Sequence, residues 1–301
     1  MDAFFGTTFS PSHLRFLGVS PKSALDTAFI LKFSHIRLGV YWSEIEKVKG
    51  VYDFRELNEI LSRCEANHQD IVLTVGVKAP RWPEYYFPTH IKVKDTENEE
   101  TQIAILQFIK KAINETKHYS CITHWQIENE PLNPSGPLNM EISRTFLEKE
   151  IKVIKNMDAR PIIVTLWGND LKRRKLFPVA ENLGDIIGID LYYRQYQGER
   201  FGRSAYRGPD HTDMYLSHLI ATAKKPVWIT ELQAEPWEKN NEAYFADFPK
   251  SMSPLILEEH IKRARTLPAK ELFLWGFEYW VYRAQKGDFS YLKRLTSLIK
   301  S

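Results

Sequence analysis

What most constrains the fold is an alternation that runs the length of the chain: eight short apolar runs, with amphipathic stretches between them. The runs lie near residues 4–9, 34–40, 71–77, 122–128, 161–166, 186–192, 226–231 and 271–276. They are rich in Val, Ile, Phe and Trp, the composition of strands buried on both faces. The stretches between them carry helical stripes. Phe54, Leu57, Ile60, Leu61 and Cys64 share one face, as do Ile142, Leu147, Ile151 and Ile154. Leu257, Ile261 and Ala264 form a third stripe, with Ser253 placed to cap it and Pro254 in its first turn. Leu292, Leu295 and Leu298 form the last, and a short helix is expected between Lys172 and Glu181. Eight strands alternating with helices predict an α/β fold, a single closed (β/α)8 TIM barrel rather than a doubly wound sheet. A length of 301 residues could hold two domains, but such barrels reach that size as one. With no internal repeat or linker, one domain over 1–301 is expected.

Connection lengths point to one working face. Turns entering strands are brief, such as 67–70 and 158–160, whereas the loops leaving them are long: 78–97, 131–139, 193–212 and 232–253. In a barrel these exit loops gather at the C-terminal face, where active sites sit. They hold Trp82, Tyr85, Tyr86, Phe87, Tyr193, Tyr196, Phe201, Tyr206 and Trp237.

Bulk properties exclude several classes. A net charge of +3 is too small, and its basic residues too scattered, to argue for a nucleic-acid partner. The densest run, Lys172-Arg173-Arg174-Lys175, reads as a solvated helix start. No apolar run approaches the ~18 residues of a membrane span, and the N-terminus has no basic leader region. A soluble, cytoplasmic protein is therefore expected. Cys64 and Cys121 fit buried free thiols. The nine His residues show no metal-ligand spacing, no Gly-rich phosphate loop follows a strand, and no Gly-x-Ser-x-Gly turn occurs. Neither a metal nor another cofactor is called for.

Two glutamates carry the chemistry. Glu130, in WQIENEP (125–131), and Glu231, in VWITELQAEPW (227–237), each lie at the end of an apolar run. Two opposed carboxyl groups without a metal suit hydrolysis of a sugar acetal: one donates a proton to the departing oxygen, the other stabilises or captures the anomeric carbon. Strict strand alternation puts Glu128 on the same face as Glu130, so periodicity alone leaves both open.

On these residues the chain resembles the clan A retaining glycoside hydrolases, the (β/α)8 superfamily of many cellulases, β-galactosidases and β-mannosidases. The resemblance spans nearly the whole chain. It rests on Asn129-Glu130-Pro131 after the fourth strand, Thr230-Glu231 at the seventh, and HIRLGVYWSEIEKVKGVYDF (35–54) at the second. It implies a retaining β-glycosidase with Glu130 as general acid/base and Glu231 as nucleophile. It selects Glu130 because the acid follows the Asn in this clan. Glu128 then becomes a buried carboxylate expected beside a basic neighbour.

The supporting shell follows from both lines. Arg37, a charge inside an apolar run, needs a partner, and a carboxylate such as Glu231 would serve; the resemblance also places an Arg beside the nucleophile. Asn129 is expected to bond the sugar 2-hydroxyl, and Tyr192 resembles the clan tyrosine that holds the nucleophile. Trp275 is expected to floor the cleaved sugar's subsite, since a ring face suits the apolar side of a pyranose. Trp42, Trp82, Trp237 and Trp280 are further ring candidates, and Glu235 suits a sugar hydroxyl. The expected partner is an oligosaccharide or glycoside. A transglycosylase using the same residues, or a silent glycan-binding barrel, are the alternatives.

Overall fold

The computed structural model describes residues 4–299; Met1–Ala3, within the leader region considered above, lie outside the described residues. Ten strands occur in chain order: β1 (Phe4–Phe9), β2 (His35–Gly39), β3 (Asp70–Val75), β4 (Ile122–Ile127), β5 (Ile162–Trp167), β6 (Ile186–Leu191), β7 (Gln195–Arg200), β8 (Arg203–Arg207), β9 (Val227–Gln233) and β10 (Glu271–Trp275). Eight of them close a parallel barrel in the order β1-β10-β9-β6-β5-β4-β3-β2, and β7 and β8 form a separate two-stranded sheet. The (β/α)8 expectation holds, and each of the eight expected runs became a barrel strand. The reason is visible in β2, β6, β9 and β10, whose residues are all buried. No face of such a strand is left for polar alternation. No helix among the described residues is long and apolar enough to cross a membrane.

The chain divides into two compact units. One comprises residues up to Ser34, Trp167–Lys175 and Ile189 onward; the other comprises His35–Leu166 and Leu176–Gly188.

In the first unit, β1 pairs with β10 in unbroken register from Phe4↔Glu271 to Thr7↔Leu274. β10 then pairs with β9, and here the register slips: Leu272 faces Ile229 but Leu274 faces Leu232. Three steps on β9 match two on β10, so Thr230 and Glu231 lie in a bulge, a device that re-aims side chains. β9 runs on to Gln233, so Glu231 sits inside the strand rather than at its end. The helix Pro254–Ala264 opens as its sequence predicts, with Ser253 Oγ accepting the Ile256 N–H at 3.2 Å and proline in the first turn.

In the second unit, β2 pairs with β3 from His35↔Asp70 to Gly39↔Thr74. β3 pairs with β4 through a slip at Thr123, where Ile71 faces Ile122 and Val72 faces His124. The helix Arg55–Ala66 buries Leu57, Ile60, Leu61 and Cys64, each large aliphatic contributing ~1.5–3 kcal/mol. The helix Arg144–Met157 buries Leu147, Ile151 and Ile154. Ile142 is buried too but precedes the helix, because Ser143 at its N-cap is extended (φ −64, ψ 147). Cys64 and Cys121 are buried free thiols.

Two expectations change. The helix over 172–181 is two short ones, Leu171–Arg174 and Phe177–Leu183, separated at Lys175, whose φ of 53 ends the first. The exit loop 193–212 contains the hairpin β7–β8, whose register pairs Arg200 with Arg203. Its exposed, charged sequence lacks the buried apolar signature of the barrel strands.

Candidate active site

In the second unit the site is built where β4 ends. Glu128 (φ 53) and Glu130 (φ 43) are left-handed, a region costly for residues with a Cβ. The strand alternation therefore stops at Ile127, and the two carboxylates take different partners. A dense set of bonds holds this turn. Glu128 N–H donates to Val75 O at 2.8 Å, Asn129 N–H to Lys78 O at 2.6 Å, and Asn133 N–H to Glu130 O at 3.0 Å. Glu130 N–H donates to Thr165 Oγ1 at 2.7 Å, and Asn133 Nδ2 donates to Glu130 Oε2 at 3.3 Å.

Lys78 is the hub of this turn. It is fully buried, and its ammonium donates to Glu130 O at 2.9 Å and Asn133 O at 2.7 Å, with Glu84 Oε2 at 3.6 Å. Glu128, also fully buried, accepts the Val77 N–H at 2.9 Å on one oxygen and the Lys78 N–H on the other. Its partners are thus backbone donors, whereas the expected basic neighbour turns its ammonium to Glu130 O. Gly76 makes room: a Cβ there would stand 2.2 Å from the Glu128 carboxyl carbon. Buried Glu150, on the helix Arg144–Met157, has its carboxyl held well above the usual range by burial and, next, by the charge of Glu128. Burial also raises Glu128, against the neighbouring Glu150 carboxyl and the two N–H donors. Those donors favour the anion at Glu128, so the proton rests on Glu150.

Arg37, 1% exposed on β2, donates from Nε to Gln126 Oε1 and from a terminal nitrogen to Asn129 Oδ1, both at 2.6 Å. Arg37 thereby orients Asn129 beside Glu130. Gln126 Nε2 in turn donates to Glu128 O at 2.7 Å. Trp42 is 1% exposed, donates its indole N–H to Glu46 at 2.7 Å and stacks on Phe108 at 5.2 Å. It is core packing, with no face left for a ligand. Trp82 is 71% exposed in the exit segment after β3.

In the first unit Glu231 is buried, and its Oε2 accepts the Tyr192 hydroxyl at 2.5 Å. The preceding Thr230 donates to Asp190 Oδ1 at 2.6 Å. Tyr192 is itself clamped: its N–H donates to Asn169 Oδ1 at 2.9 Å, and Asn169 Nδ2 donates to its carbonyl at 2.6 Å. Trp237 meets the Tyr192 ring edge-on at 5.1 Å, and Trp167 lies 5.3 Å away on a tilt. Tyr193 instead packs under Arg263, 4.0 Å from its ring, and against His260. Trp275 ends β10 and is 9% exposed; its carbonyl accepts the Ala234 N–H at 2.9 Å. Glu235 is buried, with Tyr244 O–H donating to its Oε2 at 3.3 Å. Trp237 is 41% exposed, and its carbonyl accepts the Tyr196 N–H at 3.3 Å, tying the hairpin to this segment. Trp280 is fully buried and donates to Ala234 O at 2.7 Å, again as packing.

Within its own unit, Glu130 follows Asn129, which Arg37 holds, whereas Arg37 was expected beside Glu231; Glu231 accepts from Tyr192 as expected, and Trp237 meets the Tyr192 ring. Sequence reasoning missed Lys78, Gln126, Thr165, Asn169 and Trp167. Lys78 carried a readable signal, a lone cation immediately after an apolar run. Asn169 follows Gly168 just past β5, where a Cβ would stand 2.5 Å from Asp190 O.

No family model matches the sequence, and the search of curated proteins found no match. Solved structures do match. One is a GH5_18 protein from Bifidobacterium longum subsp. infantis, at TM-score 0.63 and 15% identity over 91% of this chain and 69% of that one. A second is an endo-β-1,4-xylanase of glycoside hydrolase family 10 from Gloeophyllum trabeum, at 0.61 and 14% over 99% and 96%. A third, a GH5_18 variant from Streptomyces cattleya in complex with Manβ1-4GlcNAc, matches at 0.62 and 13% over 91% and 70%. At such identities the likeness is one of fold.

Proposed function

We propose that this protein is a retaining β-glycosidase in which Glu231 is the nucleophile and Glu130 the general acid/base, the whole chain acting as one catalytic domain. The observation that carries the reading is the buried Glu231 carboxylate in the β9 bulge, with the Tyr192 hydroxyl 2.5 Å from its Oε2. The Tyr192 hydroxyl, donating to that oxygen, fixes the direction of the carboxylate. The clamped turn at Glu130 supports the other half. So does a fold shared with a xylanase and with GH5_18 proteins.

The reading requires the two carboxyl groups to face each other at roughly 5–5.5 Å, the spacing of double displacement. In the first step a Glu231 oxygen bonds to the anomeric carbon as the glycosidic C–O bond breaks, and the departing oxygen takes the Glu130 proton. In the second, Glu130 takes a proton from water as the water oxygen attacks the same carbon, releasing the Glu231 carboxylate. Asn129, oriented by Arg37, bonds the sugar 2-hydroxyl, and Trp275 floors the ring. The substrate is a β-linked oligosaccharide, the class of ligand held by one structural neighbour.

Azide tests the assignment. Glu231→Ala abolishes turnover of an aryl β-glycoside, and azide restores it with formation of the inverted glycosyl azide. Glu130→Ala retains most activity on good leaving groups and least on poor ones. Full activity of Glu231→Ala on the glycoside that the wild type cleaves would remove it as nucleophile.

A further inference from the structure

The hairpin β7–β8 is not needed to complete the barrel, and its tip is built against local preference. The two turn residues, Phe201 and Gly202, have φ of 51 and 71, the pattern of a type I′ turn, in which Asn-Gly is favoured. A bulky aromatic at the first position is disfavoured in this region. Packing does not compensate for it, because the Phe201 ring is fully exposed. Across from the hairpin, Phe248 is 91% exposed. Between the hairpin and the segment 238–250 lies a concavity of about 280 Å³, lined by Glu199, Gly202, Ser204, Lys239, Phe248 and Lys250 among others.

One wall of this concavity is held by hydrogen bonds. Glu238 belongs to it: its Oε2 accepts the Tyr206 hydroxyl at 2.6 Å, and its Oε1 accepts the Ser251 N–H at 2.6 Å and hydroxyl at 2.8 Å. Glu199 and Lys239 face each other across the cleft at 3.7 Å. The exposed Phe248 ring in this polar cleft, with Phe201 next in sequence to its lining residue Gly202, matches the two-sided chemistry of a pyranose, whose C–H face stacks on aromatics while its hydroxyls meet charged groups. The cleft is linked to Glu231 through a chain of neighbours. Glu238 follows Trp237, whose ring meets Tyr192, whose hydroxyl meets Glu231.

We propose that this concavity is a second saccharide-binding site, taking a hexose unit of the same oligosaccharide remote from the bond that is cleaved. Phe201 and Phe248 serve as ring platforms, and Glu199, Ser204 and Lys239 meet the hydroxyls. The proposal rests on the glycosidase reading for its substrate, but its test does not depend on turnover.

The test uses Phe201→Ala and Phe248→Ala, singly and together; both side chains are exposed, so folding is unaffected. Binding of β-1,4-linked manno-, xylo- and cello-oligosaccharides, from disaccharide to hexasaccharide, is measured by calorimetry on Glu231→Ala protein with and without these changes. The expected result is that the double change weakens Kd for the longer chains about tenfold and leaves the disaccharide within about twofold. In the active protein, kcat/KM on an aryl monosaccharide stays constant while that on the longer chain falls in parallel. Equal Kd values with and without the two rings, or no binding of any probe, overturn the second site. Ring-dependent binding without turnover of any glycoside would leave this site standing and remove the glycosidase reading; turnover indifferent to the rings would do the reverse.

Discussion

Lys78→Met is the most informative single change in the second unit. The ammonium is fully buried and donates to the carbonyls of Glu130 and Asn133 at 2.9 and 2.7 Å. Methionine keeps most of the volume, so the loss is mainly that of two charge-assisted hydrogen bonds, ~1.5–3 kcal/mol each. Glu84, 3.6 Å from the ammonium, also loses its cation, although its other bond, from Ser135, remains. The expected destabilisation is ~3–5 kcal/mol. At ~2.1 cal/mol/K per residue the unfolding entropy of 301 residues is ~0.6 kcal/mol/K, so the melting temperature falls by about 5–8 °C. The two lost bonds also free the left-handed turn that aims Glu130, and a displacement of about 1 Å costs ~100-fold in rate. Calorimetry reads the first effect. Steady-state kinetics on aryl glycosides of graded leaving-group ability reads the second, with poor leaving groups suffering most because they need the acid. A variant within ~1 kcal/mol of wild type, or equal losses on good and poor leaving groups, would refute the role given to Lys78.

Tyr192→Phe removes a donor to Glu231, so kcat/KM falls about 10–100-fold with an unchanged circular dichroism spectrum; a loss below about threefold contradicts it. His260 is buried with Nδ1 2.9 Å from Gln233 O, and burial pushes its pKa from 6.5 down to about 4. The unfolded chain therefore binds the proton first, so the neutral form's stabilisation is full above pH 6.5 and lost as pH falls towards 4, by about 3 kcal/mol. Urea unfolding of His260→Gln between those limits is expected to lose that slope, and retention of it counts against the assignment. Glu150 has the opposite sign: as pH rises past 4.5 the unfolded chain ionises while the buried carboxyl keeps its proton, so stability declines. Glu150→Gln mimics the protonated group, so it gains on wild type as pH rises; parallel pH curves contradict this.

The barrel was legible because burying a strand on both faces leaves a largely apolar run, as in β5, β6 and β10, whereas β4, with Thr123 and His124 half-buried, is the least regular. The hairpin was not legible, since Gln195–Arg200 and Arg203–Arg207 are largely exposed and charged, with no apolar period to read. In the candidate site, Glu130 and Glu231 could be named from strand ends, but their aim could not. The aim of Glu130 depends on left-handed turns at Glu128 and Glu130, and that of Glu231 on a register slip in β9; alternation reports neither. Lys78 and Asn169 act on backbone groups distant in sequence, so side-chain chemistry alone gave no partner for them. Trp42 shows the converse. An aromatic after a barrel strand looked like a subsite and turned out to be packed on Phe108.

The proposed reaction needs two carboxyl groups to cooperate at one anomeric carbon, with an oxygen of Glu231 as the nucleophile. Incubation with a 2-deoxy-2-fluoro glycoside bearing a good leaving group, followed by peptide mass spectrometry, measures this directly. A stable fluoroglycosyl adduct on the peptide carrying Glu231, slowed in Glu130→Ala only when the leaving group is poor, is the predicted result. An adduct on another residue, or none from a glycoside analogue whose parent the protein turns over, would contradict it.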